Sequence, residues 1–106
     1  MRNEIIVRKL LAYCEKIIGY CHELTYEQFS SDEMLIDACV FNLSQMGELA
    51  NRVDTAFAER HPEIPWRYIY GLRNRIVHDY EGVNLHLIWE IIHDALPSLH
   101  DHLLAI

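Results

Sequence analysis

Seven apolar residues, Ile36, Cys39, Leu43, Met46, Ala50, Val53 and Phe57, succeed one another at alternating steps of three and four. Only a helix gathers that spacing onto one face, because each residue turns about 100° around the axis. A seam of this kind buries itself best against other helices lying at a shallow angle to it. The pattern therefore predicts a long helix over about residues 32–60 as the spine of a bundle. Ser30 and Glu33 stand at capping-box spacing ahead of it, and Pro62 and Pro65 end it.

The rest of the chain is built to the same plan. Ile6, Leu10, Tyr13, Ile17, Tyr20 and Leu24 predict a first helix over about 3–23, and Thr25 with Gln28 predicts a short helical turn near 26–29. Pro65 is placed to open a third helix over about 66–79, which Gly82 breaks. Asn84 can cap a last helix over about 85–104, with Leu85, Ile88, Ile92, Leu96, Leu99 and Leu103 inward and a kink expected at Pro97. Four glycines and three prolines are too few for an array of tight strand turns. The expected architecture is all-α: a single domain over residues 1–106, an up-and-down bundle of four main helices plus a possible short helical turn.

The charge pattern restricts what such a bundle can bind. The net charge of −7 argues against a basic coat for gripping nucleic acid, yet residues 52–75 set five arginines against three acids, a local balance of +2. An anion is therefore expected to bind locally. Charges interrupt the N-terminal stretch every few residues, and no run approaches the roughly 20 apolar residues of a membrane span. These features, with Cys14, Cys21 and Cys39 as reduced core thiols, point to a cytoplasmic protein.

The basic segment leads into LRNRIVHDY, residues 72–80. Arg73, Asn74, His78 and Tyr80 crowd a run that a core helix does not require. On one straight helix Arg73 and His78 would point about 140° apart. Either the helix loosens before Gly82, or two copies of the chain meet about a two-fold axis and pool their Arg73 and His78 side chains. The residue types suit metal-independent RNA cleavage. Histidine titrates near neutrality and can take or give the protons of the ribose 2′-OH and the leaving oxygen. Arginine offers a planar fork to the phosphate oxygens, and Asn74 can orient the imidazole or donate to the phosphate. The plainer alternative pairs Arg73 with Asp79 or Glu81 at the surface and packs His78 as a structural histidine.

WRYIYGLRNRIVHDY, residues 66–80, resembles the signature of the HepT-like branch of the HEPN superfamily: an aromatic lead-in, a glycine, an Arg followed by a polar residue, four residues in all between that Arg and a His, then x-Tyr. The match falls on Trp66, Gly71, Arg73, Asn74, His78 and Tyr80, and MGELA at 46–50 resembles the family's Gly-Glu motif. The resemblance implies a two-fold dimeric helical bundle acting as a metal-independent endoribonuclease, the toxin of a two-gene toxin–antitoxin pair. It implies catalytic Arg73 and His78 with Asn74 beside them. The implied partner is an MntA-like minimal nucleotidyltransferase that silences the toxin by adding AMP to Tyr80. Phosphates there would fill the anion site and repel RNA. ATP would be the partner's substrate, and the chain itself would need no cofactor.

Glu48 has two readings: a buried carboxylate supporting Arg73 or another motif group, or a surface acid beside a glycine that permits close helix packing. His86, His93 and His100 recur every seven residues, two turns apart, wider than the usual metal-ligand spacing on a helix. Tyr68 or Tyr70 could stack a base, whereas Trp66 and Trp89 read as packing anchors. Two other functions remain open: a catalytically inactive module of the same fold that docks a nucleotidyltransferase or a nucleotide, and a structural dimer without a ligand.

Overall fold

The structure, a computed structural model, describes residues 2–78 and 82–106. It is all-α, as expected, with one two-residue antiparallel ladder. Helix α1 (Asn3–Cys21) packs along α3 (Glu33–Ala50) and along α8 (Leu96–Leu104). The short α2 (Tyr26–Ser30) links the first two. After α3 come α4 (Thr55–Arg60), α5 (Trp66–Tyr70) and α6 (Leu72–Ile76). The ladder β1 (Val77–His78) and β2 (Gly82–Val83) follows, then α7 (Leu85–Glu90), a π-helical segment (Ile91–Ala95) and α8.

The predicted seam faces inward: Cys39, Leu43, Met46, Ala50 and Phe57 are buried, with Ile36 and Val53 packed at its edge. It does not lie on one unbroken helix. The chain leaves helical geometry after Ala50 and re-enters it at Thr55. The side chain of Asn3 clamps this turn, its amide donating to the Asp54 carboxylate at 3.2 Å and its oxygen accepting from the Asp54 N–H at 3.2 Å. Short polar side chains compete in this way with helical hydrogen bonding, which spacing alone does not register.

Capping is local and mostly as expected. Thr25 and Gln28 form the full capping box. At the start of α3, however, Asp32 caps, accepting from Leu35 N–H at 3.0 Å, while Ser30 ends α2. On α1, Cys14 and Cys21 join Ile6, Leu10 and Ile17 in the core, and Tyr20 stays 40% exposed. The core thus runs along the adjacent stripe rather than through the tyrosines.

Pro97 lies in the first turn of α8, directly after the π-helical segment. Proline removes a backbone donor, and wider π-type bonding is a known way for a helix to accommodate such a break. The segment also shifts the inward face, so that Ile91 joins Ile88, Ile92, Leu96, Leu99 and Leu103 in the core, while Leu85 is only half-buried. No described helix is long and apolar enough to cross a membrane.

Candidate active site

The motif is carried by α5 and α6, which α3 holds in place. Gly47 makes the close approach possible. A Cβ there would stand 3.1 Å from both the Ile69 and the Tyr70 carbonyl oxygens. Below, Ile69, Leu72 and Ile76 are buried and fix the two short helices to the core. Helical hydrogen bonds continue through the junction, from Gly71 N–H to Arg67 O at 3.1 Å and from Arg75 N–H to Gly71 O at 3.2 Å.

The outward residues are Arg73, Asn74 and Arg75, all exposed. Arg75 is engaged, its guanidinium lying 4.6 Å from the centroid of the Tyr68 ring. Arg73 makes no ion pair or side-chain hydrogen bond among the described residues, and its donors face solvent.

The expected helix over 66–79 ends early. Val77 takes extended dihedrals, φ −105° and ψ 120°, while its N–H still bonds to Arg73 O. Val77 pairs with Val83 and His78 with Gly82, and Gly82 has φ +85°, a left-handed conformation that glycine adopts without a Cβ penalty. Asn84 closes the unit from below. Its N–H donates to Ile76 O at 2.7 Å, and its side-chain oxygen caps α7 by accepting from Leu87 N–H at 3.1 Å. Of the two geometric options open to Arg73 and His78, the loosened helix is therefore present within one chain. The 140° separation does not apply once the backbone is extended at Val77. Only the backbone of His78 belongs to the described structure, and Tyr80 lies outside the described residues.

Glu48 is exposed and pairs with neither Arg73 nor any other cation among the described residues. The Gly47 contact supports the packing alternative for this dipeptide. The three spaced histidines go to three different places. His86 stacks on Tyr26 with ring centroids 4.4 Å apart, His93 Nδ1 lies 2.9 Å from Trp89 O, and His100 Nε2 meets the Glu15 carboxylate at 2.8 Å. No group of three metal-ligating side chains converges among the described residues.

Beside the motif lies a feature that the spacing argument passed over. A cleft of about 390 Å³ opens between the end of α3, α4 and α5, and Trp66, Arg67 and Tyr70 contribute to its wall. The signal was present in the sequence as an aromatic pair one helical turn apart with an arginine between them, but its partners on α3 and α4 required the fold.

Comparison with known proteins fits this arrangement. The family model described as "Ribonuclease HepT-like" matches residues 10–106. The chain belongs to the HepT-like ribonuclease family. Among relatives of this family, a protein of Caldanaerobacter subterraneus subsp. tengcongensis named "Putative RNase" is 36% identical over 90 residues, covering 85% of this chain and 80% of that protein. A "Probable ribonuclease HepT" of Thermococcus cleftensis is 32% identical over 85 residues, covering 80% of this chain and 77% of its own. A third relative, a "Putative RNase" of Methanocaldococcus jannaschii, is 27% identical over 89 residues, covering 84% of this chain and 74% of the relative. No solved structure gives a significant match.

Proposed function

We propose that this chain is a metal-independent endoribonuclease and the toxin of a HepT/MntA-type toxin–antitoxin pair. The observation that carries the reading is the exposed Arg73, without an ion pair among the described residues (Asp79 and Glu81 lie outside them), with Asn74 on a buried-anchored helix that unwinds one residue before His78. The relatives' names bear on the same chemistry.

In this reaction the ribose 2′-oxygen attacks the adjacent phosphorus, His78 takes its proton, and the bond to the 5′-oxygen breaks as that oxygen gains a proton. The products are a 2′,3′-cyclic phosphate and a 5′-hydroxyl. Arg73 binds the non-bridging oxygens and opposes the charge of the pentacoordinate transition state, and Asn74 positions the imidazole or the phosphate. Two proton transfers need two groups, which a homodimer supplies as two copies of His78. An outward apolar patch on α3, Met34 at 84% exposure and Phe41 at 61%, supports self-association.

Silencing is read from the chemistry of the motif tyrosine. The Tyr80 phenol oxygen attacks the α-phosphorus of ATP held by a minimal nucleotidyltransferase partner, an O–P bond forms, and pyrophosphate leaves. Added phosphate close in sequence to His78 competes with RNA for Arg73. Purified protein in EDTA should cut RNA and leave cyclic phosphate ends, and His78→Ala should remove cutting while keeping the thermal transition. A wild-type protein that binds the partner but cuts no RNA would favour the inactive docking module, which the net charge of −7 also favours. With partner and ATP, the mass should rise by AMP units, and Tyr80→Phe should block the rise.

A further inference from the structure

Arg67, Tyr70 and Asn74 follow at steps of three and four along a helical register that is continuous through Gly71, so they form one outward stripe. The stripe connects the motif to the cleft of about 390 Å³, a volume in the range of small-ligand sites. Ala50, Val53 and the half-buried Trp66 supply its apolar wall. Besides the Tyr70 hydroxyl, four side chains on its lining can hydrogen-bond or pair with charge: Asn51, Thr55, Glu59 and Arg67. Tyr70, 57% exposed, stands on the side nearest Asn74 in the stripe. One helical turn, about 5–6 Å, separates those two residues along the axis, a span one nucleotide bridges between base and phosphate.

The charge around the cleft selects the ligand. Arg67 lines the cleft opposite in sign to Glu59, Arg52 stands in sequence between the lining residues Asn51 and Val53, and Arg73 follows Tyr70 by three; all three arginines are exposed and form no ion pair among the described residues, in a chain whose net charge is −7. Cations left uncommitted on an acidic protein suit a polyanion, and an exposed aromatic ring beside them suits a stacked base. We propose that this cleft is the subsite for the nucleobase adjoining the cleaved phosphate, with the base stacked on Tyr70 and its hydrogen-bonding edge turned to Asn51 and Glu59. A carboxylate only accepts hydrogen bonds, so Glu59 favours bases that carry an exocyclic amine, adenine, cytosine and guanine, over uracil, whose one edge donor, N3–H, is flanked by two carbonyl oxygens that repel a carboxylate. The inference deepens the ribonuclease reading and rests on it for the identity of the phosphate.

Trp66 reports on the cleft directly. The chain has two tryptophans, so Trp89→Phe leaves Trp66 as the sole indole. The probes are 2′-O-methyl hexanucleotides of A, C or U, which lack the attacking hydroxyl and are not cut. The A and C probes should change Trp66 fluorescence saturably, with U bound several-fold more weakly. Tyr70→Ala should weaken binding roughly five- to hundredfold, the range of lost base stacking, and Tyr70→Phe should retain it. Glu59→Gln should narrow the gap between C and U. Tyr70 is exposed, so its truncation opens no core cavity; circular dichroism checks the fold.

Unaltered Trp66 fluorescence with every probe, or equal affinity for Tyr70→Ala and its parent, would overturn the subsite. Cleavage of ordinary RNA is measured on the same proteins. Cutting with a silent Trp66 removes the subsite and leaves the ribonuclease reading standing. Tyr70-dependent binding without any cutting keeps the base site and removes the catalytic reading. A Trp66 response to the nucleotidyltransferase but not to RNA makes the cleft a protein-docking surface and overturns the proposal.

Discussion

Two glycines in similar local sequence positions, each inside a helix, should respond oppositely to the same substitution. Gly47→Ala places a Cβ 3.1 Å from two backbone carbonyl oxygens, those of Ile69 and Tyr70, whereas Gly19→Ala meets nothing within 4 Å. Both substitutions gain helix propensity, about 0.5–1 kcal/mol. Gly19→Ala should keep that gain. At Gly47 the oxygens belong to the backbone of α5 and cannot rotate away, so α3 and α5 must separate by a few tenths of an ångström. Overpacking of this kind costs about 1–3 kcal/mol, leaving Gly47→Ala destabilised by roughly 0–2 kcal/mol net. The two variants should therefore differ by about 1–3 kcal/mol, or roughly 4–20 °C in Tm at this chain length. Urea and thermal unfolding of the two variants beside wild type measure it, provided m is unchanged. Because α5 leads directly into the helix bearing Arg73, Gly47→Ala should also lower RNA cleavage more than Gly19→Ala does. Equal stabilisation of both proteins would refute the close helix approach, and with it the positioning role assigned to Gly47.

Other perturbations test separate links. Arg73→Ala removes an exposed side chain, so it should leave Tm within about 2–4 °C while reducing kcat by roughly a hundredfold or more; a large loss of stability would show that the arginine is structural. Asp32→Ala deletes the cap that accepts from Leu35 N–H at 3.0 Å and should cost about 1 kcal/mol in urea unfolding, whereas Ser30→Ala should cost clearly less. Burial, reinforced by Glu15, pushes the Cys14 thiol up to about 12, so the native protein at pH 8 should resist iodoacetamide at Cys14 and react there only on unfolding, as read by peptide mass. The Glu63 carboxyl is held below its ordinary range by a backbone hydrogen bond and by His61, so its stabilising contribution is present above the unfolded-state value and fades as pH falls through the native one. Carbon-detected NMR titration should show that depression shrinking in His61→Ala.

The motif and its inventory were readable before any coordinates. Arg73, Asn74, His78 and Tyr80 are recognised by identity and order, and neither depends on a fold. The interior of the bundle was readable for a related reason. Burial demands apolar side chains at helical intervals, and Leu43, Met46, Ile88 and Leu99 satisfy that demand wherever helix ends fall. Helix ends themselves were less legible. The break after Ala50 depends on Asn3, some fifty residues away in sequence, and the switch at Val77 depends on pairing with Val83.

The sequence by itself determined that the chain would be helical, where most of its hidden apolar positions would recur, and which side chains have a chemical type suited to phosphate, because periodicity and chemical type are local properties. Tertiary structure alone decided how Arg73 is presented, that Gly47 serves an interhelical contact, that Glu48 stays in solvent, and that Asn51, Glu59 and Tyr70 share one cleft. Each of these is a relation between segments distant along the chain, and such relations exist only once the helices have packed.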